Sequence, residues 1–279
     1  MYRKNKSTGA LYIQRERDKQ HKEWRIMKEF FSYFFGKGDE VEFSNFTLAH
    51  FLPIILMIAV ILVIYKFRDK IRDYKHEGRI RMTLAFILII TEMSYFWRLV
   101  GVESLGANPI DHLPITVCGW CVIFSSFMLA SKSQSLFDIS YFWLFAGTIF
   151  ALITPTVITN TGPTRFRYYQ FWLEHTMGYI AVFYMIFVHK FRPTVKSTAK
   201  SYVLLAVLAV IAYIANVILG PGANYLYMAK PESTPSILDI LPPNFALRLC
   251  IMAAVVSLLF FLSYLPWLIL DIKRKKKEG

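Results

Sequence analysis

Residues 201–220 read SYVLLAVLAVIAYIANVILG, with no charged residue among them. A run of about 20 apolar residues is the length an α-helix needs to cross the hydrocarbon core of a bilayer. A helix suits that solvent because it satisfies its backbone polar groups internally. Working outward in both directions, the same pattern predicts seven spans: 45–65, 81–100, 113–130, 136–157, 168–190, 201–220 and 245–270. The third is the shortest and the sixth the plainest. With 55% hydrophobic residues carried in unbroken runs, a soluble domain is excluded. The expected fold is all-α, a polytopic membrane protein.

The charge balance must be read in that setting. A net charge of +13 on a soluble protein would suggest nucleic acid. Here the basic residues sit in short connections and at the tail, where they orient helices and meet anionic head groups. The first connection, KFRDKIRDYKHEGRIR at 66–81, holds seven Lys and Arg, and the tail KRKKK at 273–277 holds five. Connections on that side total 17 and those on the other side three. The positive-inside rule then puts the C-terminus in the cytoplasm and the N-terminus outside. Residues 1–26 run against this, with eight Lys and Arg. Either they lie along the membrane surface as a basic helix, or translation starts at Met27; charge favours the second. The chain thus divides into an N-terminal extracytoplasmic or interfacial segment (1–44), a seven-helix domain (45–270) and a basic cytoplasmic tail (271–279). No cleavable signal peptide is expected, because the first 25 residues are polar.

Ionisable side chains inside a bilayer cost a few kcal/mol each and mark cavities or partners. They crowd one half of the spans: Glu92 and Arg98 in the second, Tyr168, Gln170, Glu174 and His175 in the fifth, Arg248 and Cys250 in the seventh. The loop PGANYLYMAKPESTPSILDILPPN at 221–244 adds Asn224, Tyr225, Lys230 and Asp239. Helix starts at Leu113 and Tyr168 would put Cys118 and His175 at similar depths, about 7–10 Å down. A polar pocket toward the outer leaflet is expected. Glu92 and Arg98, six residues apart, should point to different partners.

Within HLPITVCGWC (112–121) the two cysteines allow three readings. Cys118–Gly119–Trp120–Cys121 has the spacing of a thiol–disulfide oxidoreductase. Against this, Cys118 would lie at the fifth helical position or later, past the free N–H groups, and only Cys250 remains as a second redox partner. Alternatively Cys118 is a nucleophile served by His175, with a lipid ester as substrate. In the third reading these are small packing residues. A transporter or ligand-binding protein that relays protons through Glu92, Glu174 and His175 is equally open on the residues alone.

Five pieces in order carry a resemblance: LPITVC (113–118), YFWLFAGTIFALITP (141–155), RFRYYQFWLEH (165–175), KFRPT (190–194) and NYLYMAKPESTPSILDILPP (224–243). Together they resemble the YwaF-like integral membrane proteins of Gram-positive bacteria, related to eukaryotic transmembrane protein 164. The resemblance implies a seven-helix fold in a bacterial cell membrane. Through its eukaryotic branch it implies phospholipid acyl transfer by a cysteine acyl intermediate assisted by a histidine. The nucleophile falls on Cys118 and the base on His175. Thr116 and Gly119 depart from the family pattern, which often has a histidine and a polar residue there.

On that reading the protein is a lipid acyltransferase or acyl hydrolase, with a phospholipid or lysophospholipid as partner. Thr116 would be a second hydroxyl nucleophile or an oxyanion donor. Arg98 and Lys230 would hold a head-group phosphate, and Asp239 or Asn224 would close the pocket or orient His175. Glu92, Glu174, Tyr168 and Tyr225 complete the expected lining. No cofactor, metal or nucleic acid is expected, since no His, Cys and carboxylate cluster has ligand spacing.

Overall fold

The computed structural model describes residues 6–37, 43–155, 161–228 and 237–278. Among these the regular structure is helical throughout: α1 (Lys6–Phe35), α2 (Leu48–Asp73), α3 (Glu77–Gly101), α4 (Val117–Ser131), α5 (Gln134–Trp143), α6 (Ile149–Ile153), α7 (Phe166–Phe187), α8 (Val195–Leu219) and α9 (Phe245–Glu278). A π-turn, Leu144–Thr148, joins α5 to α6. Among the described residues α2, α3, the α5–α6 unit, α8 and α9 are long and apolar enough to cross a membrane. The chain is a multi-pass membrane protein.

Each predicted stretch carries a helix, but the bounds move. The first helix continues to Asp73 rather than 65, so the basic connection is largely an extra two turns of α2. The last runs unbroken to Glu278, taking in the lysine tail. At the third stretch the helix starts late: α4 has 15 residues, about 22 Å against a core of about 30 Å. The fourth stretch ends at Ile153, and its predicted limit at 157 lies outside the described residues.

Helix α7 occupies the middle, packed on α2, α3 and α4, while α4 also packs on α3 and α5. That position explains its composition. Gln170, His175 and Thr176 are buried among protein rather than facing lipid, as polar groups at membrane depth require. Helix α8 packs on α5, and α9 lies against the π-turn.

The end of the bundle away from the predicted pocket is not purely apolar. Glu77 Oε1 accepts from Tyr184 Oη and from His189 Nε2, each at 2.8 Å, with Arg81 Nε 3.3 Å away. Buried Asp138 accepts from Gln134 Nε2 at 2.7 Å and Lys200 Nζ at 3.0 Å. These carboxylates clamp α3 to α7 and α5 to α8. They are invisible to hydropathy because each sits at a helix end.

Candidate functional site

The site begins with the start of α4. Leu113 and Ile115 approach the helix in extended backbone, and Thr116 is the N-cap, its Oγ1 accepting from Gly119 N at 3.1 Å. Trp120 Nε1 donates back to Pro114 O at 2.9 Å and pins this approach. Cys118 is therefore the second residue of α4, not the fifth or later. The amides of Val117 and Cys118 belong to the first turn, where backbone donors have no intrahelical acceptor and the helix dipole favours negative charge.

Two glycines let other groups approach this turn. A Cβ on Gly119 would lie 2.7 Å from Glu92 Oε1 and 3.0 Å from Thr116 Oγ1. A Cβ on Gly147, in the π-turn, would lie 2.6 Å from Val117 Cγ1. The π-turn thus seats directly on the residue before Cys118, as such turns do at functional sites. Its Thr148 hydroxyl is buried beside the Cys118 and Cys121 thiols. Gly147→Val is expected to cost about 1–3 kcal/mol by overpacking against Val117, read as a lower unfolding midpoint in detergent.

Helix α7 brings His175 to the same cavity, which has a volume of about 1160 Å³. Nδ1 bonds Phe171 O at 2.7 Å, so that nitrogen carries the proton and Nε2 keeps its lone pair. His50 shows the contrast: Phe46 N donates to its Nδ1 at 2.9 Å and its Nε2 bonds Leu152 O at 2.8 Å, which leaves nothing for chemistry. No hydrogen bond joins Cys118 to His175 among the described residues; the two share the cavity wall. The predicted depth match used the wrong helix starts. Measured from Val117 and Phe166, Cys118 lies about 2 Å along its helix and His175 about 14 Å along its own. Both nonetheless line the one cavity.

A charged network flanks the pair. Glu174 Oε2 accepts from Gln170 Nε2 at 3.0 Å and lies 3.5 Å from Arg167 Nη1, which also donates to Gln170 Oε1. The Arg167 guanidinium stacks 4.6 Å from the Tyr95 ring centroid, a cation–π arrangement. Tyr95 Oη and His112 Nδ1 share a hydrogen bond at 2.7 Å. Burial holds the His112 imidazole below its ordinary pKa, aided by Arg167 and opposed by Asp111. Glu92 is buried against Gly119 and has no hydrogen bond or ion pair among the described residues.

The TMEM164 family model matches residues 43–264. The chain belongs to that family. Comparison with curated proteins and with solved structures gives no match. In the TMEM164-family chain the match begins after α1 and ends within α9, so it takes in every residue lining the cavity.

Not every expected residue of this TMEM164-family protein reaches the cavity. Cys118, His175, Thr116, Glu92, Glu174, Asn224 and Tyr225 do. Arg98 does not: its Nε and Nη2 donate to Phe35 O and Gly36 O, each at 2.7 Å, and so satisfy the C-terminal carbonyls of α1. Tyr168 turns to α2 and donates to Ala49 O at 2.6 Å. Asp239 sits between the lining residues Leu238 and Ile240 without lining the cavity itself. Lys230 lies outside the described residues. Arg167, Tyr95 and His112 line the cavity without having been singled out for it. Arg167, Gln170 and Glu174 fall at i, i+3 and i+7, one helix face, and that spacing was the signal for the first.

Arg98→Ala is expected to loosen α1. Charge-assisted hydrogen bonds are worth about 1.5–3 kcal/mol each, so limited proteolysis within residues 6–37 should run at least about ten-fold faster while the rest of the chain resists as before.

A roof covers the cavity at this end. Tyr225 N donates to Asn216 Oδ1 at 2.7 Å, Asn216 Nδ2 returns a bond to Tyr225 O at 3.1 Å, and Leu113 N donates to Tyr225 Oη at 3.0 Å. Fully buried Arg248 ties Tyr227 O to α9 at 2.8 Å. Leu226 and Tyr227 both hold φ of 56°, a strained conformation that such anchors maintain. Cys121 is 1% exposed, which denies a thiol–disulfide partner the second sulfur.

Proposed function

We propose that this protein is a membrane-embedded lipid acyltransferase or acyl hydrolase that works through an acyl group carried on Cys118. The observation that carries the reading is the position of Cys118 in the first turn of α4, in a cavity shared with the unpartnered Nε2 of His175. Family membership supports it. As Cys118 Sγ attacks the ester carbonyl, Nε2 of His175 takes the thiol proton. The carbonyl oxygen gains charge toward the Val117 and Cys118 amides, with Thr116 holding the turn in place. The ester C–O bond breaks, and the leaving hydroxyl takes the proton from His175. A lysolipid or water then gives its proton to His175 and attacks the thioester, which returns the acyl group and reprotonates Cys118. Arg167, rather than Arg98, offers a cation toward a phospholipid phosphate.

The reading carries a topology with it. Seven crossings, with α4 and α7 completing the five long apolar helices, put the basic connections and the C-terminus in the cytoplasm and the roof outside. The membrane is a bacterial cell membrane on the resemblance drawn from the sequence. The basic helix α1 lies along the membrane surface, anchored at Arg98.

The test uses protein reconstituted with phospholipid bearing an alkyne-tagged acyl chain. A protein-bound tag that is released by hydroxylamine and mapped to Cys118 supports the reading. A chain that stays untagged while turning over the lipid, or that never touches it, sinks the reading.

A further inference from the structure

Helices α8 and α9 both line the cavity but barely pack on one another. Helices α8 and α9 meet at two levels. Toward the Glu77 end, Ser257 Oγ donates to Tyr202 Oη at 3.3 Å and the Tyr202 ring lies 5.8 Å from that of Phe260. Toward the roof, the Tyr213 and Phe245 rings lie 5.6 Å apart. Between these levels no hydrogen bond or ring contact joins the two helices among the described residues. Instead Ala206, Ala209 and Val210 of α8 and Met252, Ala253 and Val256 of α9 line the cavity. Ala206, Val210 and Ala253 are also exposed. Exposed, cavity-lining residues on two helices that barely pack together frame a window through the wall.

Its chemistry and size narrow the occupant. The frame is wholly apolar, and the helices that carry it are among those able to span the membrane, so hydrocarbon lies outside it. From Tyr202 to Tyr213 is eleven residues, about 16 Å of helix, close to the roughly 15 Å of one leaflet's hydrocarbon. The polar groups Thr116, Cys118 and Arg167 line the same cavity that the window enters. One molecule class matches a polar niche joined to an apolar slot one leaflet long: a lipid with its head group at the niche and a fatty acyl chain in the slot.

We propose that the substrate's acyl chain enters sideways from the bilayer between α8 and α9, with Ala206 and Ala253 as the small residues that keep the window open. This rests on reading the cavity as a lipid acyl site. The experiment reconstitutes the full chain in phosphatidylcholine vesicles containing a phospholipid with a mid-chain diazirine, and maps photo-crosslinks. Crosslinks are expected inside the cavity, at Ile123 of α4 and Phe150 of α6, beside those on the lipid-facing surface of α2. Ala206→Trp with Ala253→Trp should cut the interior crosslinks at least ten-fold and leave those on α2 unchanged, whereas Val203→Trp, outside the window on α8, should change neither. If the double variant does not fold, Val210→Trp at an exposed position of the frame gives the same reading. Interior crosslinks that are absent from the wild type, or that persist after the window is filled, overturn the proposal. Cys118→Ala separates the two ideas. Interior crosslinks retained in that variant, with no acyl transfer in the wild type, defeat the catalytic reading and leave the window standing.

Discussion

Cys118→Ala is expected to abolish the hydroxylamine-sensitive acyl adduct and to lower acyl transfer by at least about 10³-fold, because a nucleophile and its base act as one unit. The unit has a signature that a merely destabilised protein lacks. His175→Gln alone should lose nearly as much, and the Cys118→Ala/His175→Gln double variant should be no slower than Cys118→Ala. The physical ground is the division of labour on the imidazole: Phe171 O holds Nδ1, so proton transfer falls to Nε2. Steady-state rates of the three variants on one phospholipid check this. Losses that multiply would show that the thiol and the imidazole work independently.

The second large effect concerns stability. Arg167→Met is expected to cost about 3–5 kcal/mol, the usual penalty for removing one partner of a buried ion pair. Arg167 and Glu174 have side-chain exposures of only 11% and 12%, and Glu92 lies in the same cavity with no cation of its own. Glu174 would then be left as a buried carboxylate without its cation, in the same cavity as Glu92. Adding Glu174→Gln to Arg167→Met should restore most of the loss, since it removes the charge that was stranded. Unfolding midpoints in detergent measure both. A single variant as stable as the wild type would mean that water reaches this network.

These expectations show how far the sequence could be read. Apolar runs located the helices, because bilayer thickness imposes a length that a linear string displays directly. They did not locate the start of α4, since apolar Leu113 and Ile115 look helical to any hydropathy count. The cap at Thr116 was the better guide. Cys118 and His175 were legible as chemistry-bearing residues at odds with their apolar surroundings. Arg98 was equally at odds, but its partners are backbone carbonyls more than 60 residues away, and no side-chain pattern encodes such acceptors. Arg167 was legible in principle from its spacing to Glu174, yet as a loop-side cation it counted toward topology instead. The window between α8 and α9 was not legible at all. It arises where two apolar helices fail to pack, and an apolar helix reads the same whether it touches protein or lipid.

The π-turn at Leu144–Thr148 has a further consequence. A bulge of this kind amounts to one surplus residue wound into an otherwise regular coil. Deleting a single residue there would let the coil close to ordinary pitch while the helix after it kept its phase, so the change would fall on the turn itself. Thr148 would swing out of phase with the two sulfurs, and Gly147 would no longer meet Val117. The length of the rod would hardly change, so the shortened chain would cross the membrane as before without the seat that the turn gives Val117.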